Sequence, residues 1–198
     1  NVIGFWFEFG TYDTSLSPNV FFTPVGLEKG ISPSDYKWLL DEALPIFVPK
    51  FRGSSYEDIV SRCIECLPAR SNLFQIGVML SRPSRDLRMV IKGMERKDIP
   101  YYLQEVGWRG DISNVDKLVH DIPSSVSRIV LHFGIGKKSL EPSIGIECSF
   151  RPNRFHLEKK WKEIFDYAIE RGLCQESEKA DLLSFQGICQ FNIWDKIN

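Results

Sequence analysis

Five ionisable residues, Glu8, Arg88, Lys92, His132 and Glu147, fall at strand positions of one parity in this chain. Together they could hold an anion and move a proton. Arg88 and Lys92 share a face of one strand-like segment and could pair with carboxylate or phosphate oxygens. Glu8 and Glu147 could accept a hydrogen bond or a proton, and two carboxylates at the right separation would also permit glycoside hydrolysis. His132 is the histidine on a polar strand face. It is either a general base near neutrality or a hydrogen-bonded structural residue. Trp6 and Trp194 could wall such a site, with Gln190 and Asn192 as polar contacts. The catalytic candidates are therefore Glu8, His132 and Glu147. The substrate-binding candidates are Trp6, Arg88, Lys92, Gln190, Asn192 and Trp194.

Other constellations carry less chemistry. Cys63 and Cys66 form a C-x-x-C pair, but both continue the apolar pattern of a helix, and no second Cys or His pair follows. The run Gly134-Ile-Gly136-Lys137-Lys138-Ser139 has the composition of a phosphate loop without its spacing, and a strand follows it where a helix is required. It reads as a hairpin loop with solvated lysines. His120, His132 and His156 are too scattered for a metal site. Nucleophile-elbow, zincin and dinucleotide signatures are absent. The sequence thus gives no reason to expect a metal or a cofactor.

The elements that must position these residues follow an ordered pattern. Strand formers at 3–9 and 19–23 precede helical spacing over Tyr36–Leu44 and Ile59–Leu67. Strands at 73–80 and 87–93 precede short helices at 99–106 and 115–122, with Pro100 tolerated in a first turn. Strands at 128–135 and 143–150 precede helices at 157–171, stopped by Gly172, and at 178–185. Ile188–Trp194 reads as a final strand. This gives an α+β chain of three tandem ββαα units, at 3–68, 73–123 and 128–185, within a single domain 1–198. The plain alternative is one antiparallel sheet with helices on one side.

Side chains alternate across a strand, so each strand has two faces. One carries Phe5, Phe7, Phe74, Ile76, Met89, Phe133, Ile146 and Phe191 and no charge; the helices, through Leu40, Ile64, Trp161 and Phe165, are expected to cover it. The other mixes the candidate site residues with Met79, Val90, Val130 and glycines. That is the texture of a ligand surface more than of a wet one. The sheet is expected to be curved or barrel-like, with helices on the outer face.

Repeated strand–strand–helix–helix order around a polar sheet face resembles the aromatic prenyltransferase barrel. The resemblance covers most of the chain and rests on element order, without a sequence motif. It implies a group-transfer reaction. Arg88 and Lys92 would hold diphosphate oxygens, Glu8 or Glu147 would serve an acceptor, and Trp6 and Trp194 would shield an allylic cation. That family closes with about ten strands, whereas about seven are legible here, so closure needs more chain or another subunit. The alternatives are an accessory protein engaging a peptide or protein, and a structural oligomer.

Composition narrows the partners. Apolar residues make up 43% and charged residues 26% of 198, as in a folded globular protein. A formal charge of −1 provides no bulk attraction for nucleic acid or acidic membranes, and no apolar stretch is long enough to span a bilayer. Five scattered cysteines fit a reducing, cytoplasmic location. The chain opens on Asn1, so an earlier start is expected. The open edge of Ile188–Trp194 calls for further residues or for pairing with a second copy.

Overall fold

The computed structural model describes residues 2–9, 17–24, 36–81, 86–150 and 160–184. Six strands form one antiparallel sheet: β1 (Val2–Glu8), β2 (Asn19–Pro24), β3 (Asn72–Val78), β4 (Leu87–Lys92), β5 (Arg128–Ile135) and β6 (Leu140–Ser149), in spatial order 1-2-3-4-5-6. Between them lie α1 (Leu44–Phe47) and α2 (Ser55–Glu65), then α3 (Asp98–Glu105) and α4 (Ile112–Asp121), and after β6 α5 (Trp161–Glu170) and α6 (Glu176–Ser184). Two compact units divide the chain, residues 1–121 with 128–148 and residues 122–127 with 149–198. No described helix is long and apolar enough to cross a membrane.

The first unit is held by the apolar sheet face. Registered rows cross five strands: Phe5, Phe22, Ile76, Met89 and Phe133 in one, and Phe7, Val20, Val78, Leu87 and Ile135 in the next. From β2 to β5 these side chains are buried. Each contributes about 1.5–3 kcal/mol by leaving water. Helices meet this face through rings: Phe47 stacks on Phe22 at 5.9 Å, and Tyr102 of α3 meets Phe133 at 6.3 Å. The Tyr102 hydroxyl also donates to the carbonyl of Cys63 in α2, joining the two helices. Leu39–Ala43 is a π-helical turn that runs into α1, with the Leu44 N–H donating to the Leu39 carbonyl. Pro45 follows at once and has no N–H to continue an ordinary ladder. The turn leaves Leu39 buried and Leu40 only half-buried, so Leu39 is the core contact.

Three expectations need correction. The sheet does not close into a barrel. Each strand pairs with its neighbours in sequence, and among the described residues β1 pairs only with β2. Phe7 is not a core residue; at the edge of the sheet it is 60% exposed, and Phe5 is 54% exposed. Phe74 is not on the core face either. A bulge between Leu73 and Gln75 sets Leu73 against Ile91 and Gln75 against Val90, leaving Phe74 as the extra residue. Leu73 takes the buried position instead.

In the second unit, Trp161 of α5 meets the buried Phe150 edge-on at 4.6 Å and stacks with Phe165 at 6.1 Å. Gly172, at φ +68°, ends α5. The Leu173 N–H donates to Ala168 O and the Gly172 N–H to Ile169 O, the paired bonds that only a left-handed residue permits without strain. Lys179 of α6 bridges back to Asp166 of α5. Ile188–Trp194 lies outside the described residues.

Candidate functional site on the polar sheet face

The opposite sheet face is organised around Arg88. One registered row runs Trp6, Phe21, Gly77, Arg88 and Gly134 across β1 to β5. Arg88 thus stands between two glycines. Neither gap is empty. The Phe21 ring lies over Gly77, and the Glu141 carboxyl of β6 lies over Gly134. A β-carbon at either glycine would collide with its cover. The glycine on one side of Arg88 is thus covered by an aromatic ring and the glycine on the other by an acid, and no hydrogen bond or ion pair reaches the guanidinium among the described residues.

The next row places His132 opposite Val90 and one diagonal step from Arg88. Its ring is half-buried and lies across Gly145 of β6. Burial pushes the imidazole below its ordinary value, and the neighbouring Arg88 charge pushes in the same direction, while Glu147 opposes both. Burial and Arg88 thus favour the neutral imidazole. A neutral imidazole beside a guanidinium can accept a proton or hydrogen bond from a ligand whose anionic group the arginine holds. Val90 and Val130, buried in this face, give it an apolar floor.

Lys92 lies on the same face as Arg88, with its ammonium 4.4 Å from the centre of the Phe74 ring. The bulge that removes Phe74 from the core supplies that cation–π contact. Glu147 is exposed on β6. The structure thus brings Arg88, His132 and Glu147 together, with Lys92 further along β4. Trp6 and Glu8 are elsewhere. They lie on the edge strand, three strands or about 14 Å from β4. There Trp6 is 46% exposed and Glu8 accepts a long hydrogen bond from Asn19, at 3.5 Å. Gln190, Asn192 and Trp194 lie outside the described residues. No group of three or more metal-ligating side chains occurs among the described residues.

Two neighbours of Arg88, Phe21 and Glu141, were not legible in the chain. They depend on cross-strand register. The available signal was the glycine on each side: a strand glycine often marks where a neighbouring side chain folds over the backbone.

No family model, no curated protein and no solved structure matches this chain.

Proposed function

We propose that this chain binds a small anionic molecule on the polar face of its sheet, with Arg88 holding the anionic group and neutral His132 accepting a hydrogen bond or proton from it. The observation that carries this reading is the diagonal pairing of Arg88 with a half-buried His132 over an apolar floor. Buried or half-buried charge is costly unless it is paired or put to use. Group transfer of the prenyltransferase kind is the catalytic form of the same reading, with Lys92 as a second phosphate contact and Glu147 as the group that tunes His132. The element order supports reading the chain as tandem ββαα units. The scattered thiols support a cytoplasmic setting.

Mass spectrometry of gently purified protein tests the proposal. A retained small molecule is expected, lost from Arg88→Ala and Lys92→Ala while their melting temperatures hold. Binding that falls only in proportion to the folded fraction would make both residues structural and end this reading.

A second reading rests on β1. Phe5, Phe7 and Phe9 are more than half exposed, and the outer edge of this strand is unpaired among the described residues. Two copies meeting edge to edge about a two-fold axis would pair the strands and cover these rings. Sedimentation should then show a dimer that Phe5→Lys dissociates. A monomer at all concentrations would rule it out.

A further inference from the structure

The hairpin loop that imitates a phosphate loop in sequence is a wall of a pocket. Its volume is about 390 Å³, within the roughly 300–1,000 Å³ typical of small-molecule sites. The second wall is α2 and the third is the turn between α3 and α4. Each contributes a cation: Lys138 from the loop, Arg62 from α2 and Arg109 from the turn. These residues are distant in sequence, so their convergence comes from the fold and not from a charge run.

The walls are fixed to one another. The Ser55 hydroxyl, at the start of α2, donates to the Lys137 carbonyl of the loop. The Trp108 indole N–H donates to the Glu141 carbonyl at 3.0 Å, tying the turn to β6. The turn itself is set by Gly107 at φ +80°. Its N–H donates to Gln104 O, and the Trp108 N–H donates to Leu103 O. That left-handed residue closes α3 and aims Arg109 back toward α2. Arg62 Nη1 lies 4.0 Å from where a Gly107 side chain would begin, which places the guanidinium beside this turn.

Charge and polarity identify the ligand class. Asp58 is the one carboxylate in the lining, and no ion pair engages Arg62, Arg109 or Lys138 among the described residues. The lining therefore carries a net charge of two positive, in a chain whose formal charge is −1. A phosphate monoester carries close to two negative charges at neutral pH, and two guanidinium forks with an ammonium match its three terminal oxygens. The Ser139 hydroxyl is a further donor in the lining. The floor is apolar, with Val106 and Leu140 buried. We propose that this pocket binds a phosphomonoester of a small apolar molecule, at a site distinct from the Arg88–His132 face.

Phenyl phosphate is the probe. Titrated into the whole chain and followed by amide NMR, it should give saturable shifts at Gly107 and Ser139, half-complete at about 1 mM or below. Inorganic phosphate, lacking the ring, should bind about tenfold more weakly, and phenol should not bind. Arg62→Gln and Arg109→Gln should each weaken phenyl phosphate about tenfold or more, as loss of a charge-assisted contact does. Both side chains are exposed, and the melting temperature verifies that the variants fold. Unsaturable shifts spread over the surface, equal affinity for inorganic phosphate, or unchanged binding by folded Arg62→Gln and Arg109→Gln would each overturn the proposal.

Discussion

The imidazole of His132 lies across the backbone of Gly145 on the adjoining strand. A β-carbon at position 145 would collide with the ring. Gly145→Ala must therefore turn the imidazole out or shift β6. Overpacking of this kind costs about 1–3 kcal/mol, so the melting temperature should drop. The displaced ring should also titrate closer to an ordinary histidine, because solvent reaches it. A variant with wild-type melting and an unmoved His132 Hε1 resonance would show that the ring does not lie over Gly145.

His132 titration tests the electrostatics of the site. Burial and Arg88 both hold the imidazole below its ordinary value of about 6.5, against the pull of Glu147. Arg88→Ala should raise the midpoint, and Glu147→Gln should lower it further. The same shift makes stability depend on pH. The unfolded chain takes up a proton on His132 at a higher pH than the folded chain does. Stability is therefore complete above about pH 6.5 and declines as pH falls toward the depressed folded value, below which the loss levels off. His132→Gln should remove that part of the decline. A slope unchanged by the substitution would place the acid sensitivity elsewhere.

Leu73 and Phe74 exchange the roles that alternation gives them. Leu73→Ala should cost about 2–5 kcal/mol, because the side chain is fully buried and leaves a cavity. Phe74→Ala should cost less, since its ring is half-exposed and contributes mainly its contact with Lys92. Chemical denaturation of the two variants decides. The reverse ranking would mean that the bulge is absent.

Those two residues also show where sequence reading stops. The order of strands and helices is legible because period-2 and period-3.6 patterns, Pro100 and Gly172 are local signals. A bulge adds one residue and reverses the parity of the strand before it, and no periodicity announces where. The exposed Phe5 and Phe7 fail for a different reason. They have the composition of a central strand, but burial depends on neighbours, and β1 is at an edge. Within the site, Arg88, Lys92 and His132 follow from alternation along single strands. Phe21 and Glu141 follow only from pairing between strands.

Cys63 gives a chemical test of the core around α2. Burial drives its thiol up to about 12, so almost no thiolate exists at neutral pH. Iodoacetamide at pH 8 should leave Cys63 unlabelled in the native protein and label it on addition of denaturant. Peptide mapping reads the outcome directly. Native labelling of Cys63 would require that α2 open away from α3, breaking the bond from the Tyr102 hydroxyl to the Cys63 carbonyl.

Thr23 shares its sheet face with Phe21, opposite Gly4 of β1, and is 1% exposed. Its hydroxyl has no hydrogen-bond partner among the described residues. A buried hydroxyl left unpaired costs about 1–3 kcal/mol, whereas its methyl group is favourably placed. Thr23→Val keeps the shape and removes the cost, so it should stabilise the protein by about 1 kcal/mol and raise the melting temperature by about 2–4 °C. Thr23→Ser is the control. It retains the unpaired hydroxyl and deletes the methyl, and should destabilise by about 1 kcal/mol through the cavity left behind. Were Thr23→Val to melt lower than wild type, the hydroxyl would have to be bonded, by an enclosed water or by a ligand on this face.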